Sequence, residues 1–433
     1  MSLPTSSSLP TSSGTAKPRV LILLENLPLA RDARVTKEAR ALAEAGFDVT
    51  VVCPAGATGD PVPGVTVRSY PAPPEGRSAV AFVLEYAWSL VAAGWLSLRE
   101  RSRGRIDVVQ ACNPPDLYWL IGVPLRWAGA TFVFDHHDLC PEMFAARRGN
   151  DGGLLHRALL VAERITFACA DHVISTNESL RSIAVRRGGC HPQDVTVVRN
   201  GPELARLDAP AADPALRGGS RHVAVWVGVM GVDDGVQEAI RAWAELVAGQ
   251  GRSDCLLVLI GEGEREQECR ALAEELGIQR NVRFTGWLEQ DEVYAYLSSA
   301  DVALALDPPG PRADHSTMMK VMEYMAAGLP VIAHHIHETK VSAGPAGRYV
   351  EPDPRALAAA LGELFDDEAA RRRMGAQGRR RIRDGLSWDH QKQAYVALFR
   401  RLARVADSPL VDLTGHQGVP AGSVSGQRGR AEA

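Results

Sequence analysis

Short, uninterrupted apolar runs recur along this chain, and each is followed by a stretch of helical periodicity. Residues 19–24 (RVLILL) are the first such run, bounded by polar residues on both sides. A strand with no polar alternation has to be covered on both faces, which is the condition of a parallel sheet packed between helices. A loop (ENLPLARDA) then leads into residues 34–45, which carry helical spacing and end at Gly46, a C-cap candidate. The grammar repeats at residues 48–53, 65–69, 107–111, 131–135 and 171–175, each read as a strand with helix between. One doubly wound domain is therefore expected over residues 18–198.

A Pro/Ala/Gly-rich connector, residues 199–218, interrupts the pattern, and the same grammar then restarts. Strands are expected at residues 222–228, 255–261, 282–285, 301–306 and 330–333, with helices at 235–247, 264–276, 291–299 and 316–327. This second domain spans residues 219–387, and a last helix, 388–406, is expected to return to the first domain. The polar segments 1–17 and 407–433 read as disordered and are excluded from the fold. A length of 433 residues suits two cores of ordinary size. Two facing doubly wound sheets leave a cleft at the carboxyl ends of their strands, where such sheets bind ligands.

Composition narrows the partners. The chain is 45% hydrophobic and 23% charged with a net charge of −4, and its basic residues are dispersed, which argues against nucleic acid. The seven cysteines form no CxxC pair and no metal-ligand spacing, as expected of reduced thiols in cytoplasm. Residues 79–98 (AVAFVLEYAWSLVAAGWLSL) test the soluble reading. An acid near the middle costs a spanning helix about 2.5–3.5 kcal/mol, so a helix of the α/β domain is the primary reading. Trp88 and Trp95, seven apart and followed by arginines, keep open a peripheral contact with the inner face of a membrane.

The strongest chemical signal is STMMKVMEYMAAGLPV, residues 316–331. It reads as a helix capped by Ser316 or Thr317 and stopped by Gly328 and Pro330. Free amides and the dipole at such an N-terminus bind phosphate, with Lys320 one turn in. Glu323 follows among Met and Ala, and a buried carboxylate there needs a hydroxyl or cationic partner. A surface helix with a Lys–Glu pair is the plainer alternative.

This segment resembles the donor-binding motif of glycosyltransferase family 4, in which two Glu with seven residues between them precede A-x-G-x-P-V. The resemblance gives the ribose to Glu323 and the donor-sugar hydroxyls to the position of His315, where the family has Glu. Asp314 beside it can supply the missing carboxylate. Further segments resembling a bacterial subgroup cover about residues 18–404. The fold implied is GT-B, α/β with two facing Rossmann-like doubly wound domains.

Within ENLPLARDARVTKEARALAEAGFDVTVVCP, Asp32 and Arg34 are expected to orient the loop or meet acceptor, with a surface ion pair as the alternative. In DHHDLCPE, residues 135–142, the resemblance makes His137 the residue at the reacting centre, with Asp138 orienting its imidazole and His136 structural. A metal site there is not favoured, because no distant ligand set is evident. Asn113 and Asp116, in ACNPPDLYWL, end a strand on the acceptor side of the same cleft. The turn VGVMGVDDG, with Gly228 and Gly231, lets backbone amides approach a diphosphate. Where many members carry Arg and Lys beyond that turn, this chain has Asp233 and Asp234. The positive charge is therefore assigned to Lys320, with Arg312 or Lys340 behind it. Trp287 and Leu288 are expected to flank the base, Trp287 in plain core being the alternative.

The resemblance implies a retaining, metal-independent transfer from a nucleotide sugar, UDP-linked by family habit, with no cofactor. The acceptor is left open among glycans, lipid-linked glycans and small molecules. A catalytically inactive partner subunit and a nucleotide-sugar epimerase are the rival readings. An NAD oxidoreductase is disfavoured, since no G-x-G-x-x-G follows the first strand of either domain.

Overall fold

The computed structural model describes residues 17–56, 62–72, 79–148, 153–208, 210–231 and 234–403. The lead-in up to residue 16, the tail beyond 403, and Val232 and Asp233 lie outside these residues. The first sheet contains β1 (Arg19–Leu23), β2 (Asp48–Pro54), β3 (Val65–Tyr70), β4 (Val108–Cys112), β5 (Thr131–His136), β6 (His172–Ser175) and β7 (Val195–Val197). All pairs are parallel, in the order β3-β2-β1-β4-β5-β6-β7. The second sheet contains β8 (His222–Val227), β9 (Cys255–Ile260), β10 (Val282–Gly286), β11 (Val302–Ala305), β12 (Val331–His334) and β13 (Gly347–Val350). It too is parallel, in the order β10-β9-β8-β11-β12-β13. The chain direction across the sheet reverses between β1 and β4 and again between β8 and β11, and ligands of such sheets bind outside these switch points.

The alternation of side chains between two covered faces explains why central strands such as β1 and β8 are apolar along their length. Along β8, Ala224 and Trp226 enter one core layer, while Val223 and Val225 enter the layer on the opposite face. Along β1, Val20 and Ile22 face one layer, Leu21 and Leu23 the other. Burying each such side chain contributes about 1.5–3 kcal/mol, so a polar residue at any of these positions is costly.

Several elements differ from the sequence-based expectation. The helix expected from Ser316 begins at Met319, with Met318 at its N-cap and no side-chain cap. The strands β7 and β13 are too short, at 3 and 4 residues, to stand out as apolar runs. The helix Pro354–Asp366 starts from an Asp353 cap and is followed by a second helix, Glu368–Arg381. The long apolar segment forms the helix Ala79–Ser102. Its inner face buries Ser89, Ala93, Leu96 and Ser97, while Leu84, Trp88, Val91, Trp95 and Leu98 are exposed. No described helix is long and apolar enough to cross a membrane. The last helix, Trp388–Leu402, lies on the first domain, where Tyr395 and Phe399 join its core and the Tyr395 hydroxyl donates to Gln110 at 2.6 Å.

Candidate active site

The first domain's contribution starts at its switch point. Glu25 follows β1, buried, and accepts from Ser89 of the long helix at 3.1 Å. Burial pushes its carboxyl up to about 7, with Glu85 adding to the shift. Asn113 follows β4 and is fully buried. Its Oδ1 accepts from the amides of His137 and Asp138 at 2.9 and 3.1 Å, and its Nδ2 donates to Asp116 at 3.1 Å. Asn113 and Asp116 thus brace the turn after β5 from inside and do not line an open surface. Burial and the nearby Glu163 raise the Asp116 carboxyl to about 6.

His137 sits on that braced turn. Its Nδ1 lies 3.5 Å from Asp135 Oδ2, so Asp135, rather than Asp138, is the acid that orients the ring. Despite burial, hydrogen bonding and charge from Asp135 raise the imidazole to about 9. The Asp135 carboxylate thus favours the protonated form of the ring. His136 points the other way, into the core between Phe134 and Phe167, 3.7 Å from Glu163.

Arg34 is neither a surface residue nor one half of a pair with Asp32. It is buried and donates to both oxygens of Asp135 at 2.8 and 3.1 Å while lying 3.0 Å from Glu38. Asp32 caps the helix Ala33–Glu44 by accepting from Val35 at 2.8 Å. Burial and the charge of Asp135 push Glu38 up to about 8. Glu38, Cys112 and Asp135 do converge as a metal-ligating trio could. Arg34 already sets a cation against both carboxylates, and burial holds the Cys112 thiol well above its ordinary range.

In the second domain, three neighbouring strands end in glycine: Gly228 after β8, Gly261 after β9 and Gly286 in β10. A Cβ on Gly261, whose φ is +123°, would sit 1.9 Å from the Gly228 carbonyl oxygen. The two turns stack that closely only because both lack side chains. Gly231 donates its amide to Asp234 at 3.2 Å, so that carboxylate folds onto its own loop. Lys320 reaches this turn from the helix Met319–Ala327: its Nζ lies 3.3 Å from Asp307 and 5.1 Å from the Trp226 ring centroid. A Cβ on Gly228 would come within 3.4 Å of the same ammonium. Gly228, Asp307 and Lys320 therefore meet at the switch point between β8 and β11. An open cavity of about 260 Å³ adjoins the loop, lined by Gly231, Gly235, Glu238 and Arg265 among others.

One turn beyond Lys320, Glu323 is partly buried and accepts no hydrogen bond from any described residue. Burial raises its carboxyl, opposed by the charges of Lys37 and Arg206. Neither cation stood out in the sequence. Lys37 belongs to the first domain, anchored on Asn200 and Gly201 at 3.0 and 2.7 Å, and burial lowers its ammonium to about 8. Arg206 comes from the connector and stacks 5.0 Å over Tyr294.

His315 ends the short helix Pro311–His315 and turns its Nδ1 back to the Pro311 carbonyl at 2.5 Å. Ser316 donates to the Arg312 carbonyl at 2.8 Å. Thr317 accepts from Asn177 of the first domain at 3.0 Å. These partners occupy the hydroxyls expected to cap the next helix. Trp287 is 61% exposed at the end of β10, which removes the plain-core reading, and Leu288 is half-buried behind it.

Comparison with known proteins agrees with this architecture. Residues 32–201 match the model for a glycosyl transferase 4-like domain, and residues 221–367 that for glycosyl transferases group 1. The chain is 27% identical over 403 residues to a glycogen synthase of Mycobacterium tuberculosis, covering 85% of this chain and 90% of that protein. Among solved structures it resembles a sucrose-phosphate synthase from Thermosynechococcus elongatus, with a TM-score of 0.69 at 19% identity, covering 89% and 99% of the two chains. It also resembles the HepE protein of Anabaena in complex with UDP, with a TM-score of 0.65 at 15% identity, covering 89% and 100%. Two matched domain models in tandem, over two facing parallel sheets, show that the chain belongs to the family 4 glycosyltransferases of GT-B fold.

Proposed function

We propose that this enzyme transfers a sugar from a nucleotide diphosphate sugar, UDP-linked, to a hydroxyl acceptor with retention of anomeric configuration. The observation that carries the reading is Glu323: a carboxylate in the cleft with no protein hydrogen-bond partner, one turn from a lysine at a glycine-lined switch point. A ribose diol supplies the donors that Glu323 lacks, and Lys320 with the Gly228 turn meets the diphosphate. His137, its protonated form favoured by Asp135, faces the donor sugar. The acceptor hydroxyl bonds to the anomeric carbon as the carbon–phosphate oxygen bond breaks. The nucleoside diphosphate leaves and its phosphate takes the acceptor proton. No metal and no cofactor is assigned to this step. Lys320 and the loop amides stabilise the charge that builds on the leaving group.

The test is a thermal-shift and hydrolysis screen against a panel of nucleotide sugars, beside Glu323→Ala. One donor is expected to raise the wild-type midpoint by several degrees and to release nucleotide slowly, with both effects lost in the variant. If no nucleotide or nucleotide sugar shifts the wild type, the donor reading fails.

We further propose that the exposed face of the helix Ala79–Ser102 makes a peripheral contact with an anionic membrane surface, where a lipid-linked acceptor would be presented. Five large apolar side chains line that face, and Arg99 packs 5.5 Å over Trp95 at its basic end. Co-sedimentation with vesicles containing anionic lipid is expected for the wild type and lost in a Trp88→Glu/Trp95→Glu double variant. Equal recovery of both proteins in the supernatant would remove this contact.

A further inference from the structure

The two domains meet through a few polar contacts, and one of them reaches the donor-side segment itself. Asn177 lies just after β6 and is fully buried. Its Oδ1 caps the helix Glu178–Arg186, accepting from the Leu180 amide at 2.7 Å. Its Nδ2 points across the domain boundary, donating to the His315 carbonyl at 2.7 Å and to Thr317 Oγ1 at 3.0 Å. Two residues on, the Ser179 hydroxyl donates to Glu338 at 2.5 Å. Glu338 is buried, and Arg199 lies 3.8 Å from its other oxygen. A single turn of first-domain backbone thus grips the second domain at two points.

The segment it grips is poorly held by its own domain. The His315 imidazole and the Ser316 hydroxyl fold back onto carbonyls four residues earlier, and the Ser316 amide bonds to Ala313. Among the described residues, the hydrogen bonds that residues 315–317 make beyond their two flanking helices come from Asn177. The helix after them starts without a side-chain cap, so no cap residue of the second domain fixes its first turn.

We propose that Asn177 is a positioning residue: it orders residues 315–317 only while the domains are together, and so couples nucleotide affinity to domain approach. Ser179 and Glu338 form the second clasp of the same coupling. The assignment rests on the donor reading above. Physically, a two-handed amide suits the task, because one oxygen serves the cap and one NH₂ serves two acceptors on the other domain.

Asn177→Asp separates the two hands. It keeps an oxygen for the cap but sets a carboxylate against the His315 carbonyl. Wild type, Asn177→Asp and Ser179→Ala are compared by hydrogen exchange at residues 315–319 and by calorimetric titration with UDP. Exchange in the free Asn177→Asp protein is expected to be at least about tenfold faster at those amides. Its UDP dissociation constant is expected to rise about fivefold to tenfold, with a smaller rise for Ser179→Ala, which also serves if the first variant folds poorly. If the wild type binds UDP and both variants match it, the coupling is wrong while the donor reading stands. Faster exchange with unchanged UDP affinity also overturns it, because the contact would then be structural alone. A wild type that binds no UDP removes the donor reading and this inference together.

Discussion

At residue 34 one guanidinium answers two buried carboxylates, Asp135 and Glu38, and the consequence is measurable. Arg34→Met leaves both acids without their cation, and breaking such a buried pair typically costs about 3–5 kcal/mol. The expected result is a lower denaturant midpoint for the first domain, with Arg34→Lys recovering only part because an ammonium cannot bridge both oxygens of Asp135. The same cluster makes stability depend on pH. His137 has its folded value raised to about 9 and Glu38 to about 8, both above their unfolded values. Each group therefore holds its proton more tightly folded than unfolded. The stability from His137 is fully present below its unfolded value near 6.5 and is lost as pH rises through about 9. That from Glu38 fades over the lower window ending near 8. The unfolding free energy is expected to fall by on the order of 1–3 kcal/mol between pH 6.5 and 9. Urea melts across that range check it, and His137→Asn should flatten the upper part of the slope.

Among the elements, the stacked glycine turns are the least tolerant of change. Gly261→Ala places a methyl where the Gly228 carbonyl oxygen already stands and forces a left-handed φ on alanine. A loss of about 2–4 kcal/mol is expected, from the strained backbone and the displaced turn. Gly277, with φ +69° and open space around its Cβ position, is the control: alanine there should cost only about 1 kcal/mol. Thermal melts of the two variants give the comparison. The helix boundary at Met319 is also an element-scale result. The sequence offers Ser316 and Thr317 as caps, but both hydroxyls are engaged elsewhere, one on its own turn and one across the cleft.

For the whole molecule, the last helix ties the chain's end to its beginning. Trp388, Tyr395 and Phe399 are buried in the first domain's core, and Phe399 packs edge-on against Phe47. Truncation after Ser387 removes these side chains and leaves the Gln110 carbonyl without its hydroxyl. The first-domain transition in calorimetry is expected to drop by well over 5 °C, since losing one such aromatic alone costs about 3–5 kcal/mol. The second domain's transition, whose core does not include this helix, should move far less.

The layering was legible in the apolar runs alone. Runs such as RVLILL, CLLVLI and the restart at residue 222 are buried on both faces, so parallel sheets between helices are the only economical outcome, and the strand positions could be read directly. The sequence also marked the turn at Gly228 and the helix bearing Lys320 and Glu323, because glycine, lysine and an isolated carboxylate stand out against an apolar background. Which side chains partner one another was settled by packing. Asp135 rather than Asp138 meets His137, because the end of the strand brings its carboxylate within 3.5 Å of the ring. Arg34 went inward because an acid 101 residues later needed a cation. Lys37, Arg206 and Asn177 reach the donor side from other parts of the chain, at separations set by domain packing and not by the repeat of any helix or strand. Local periodicity fixes elements within a few residues of one another, whereas a cleft is assembled from groups more than a hundred residues apart.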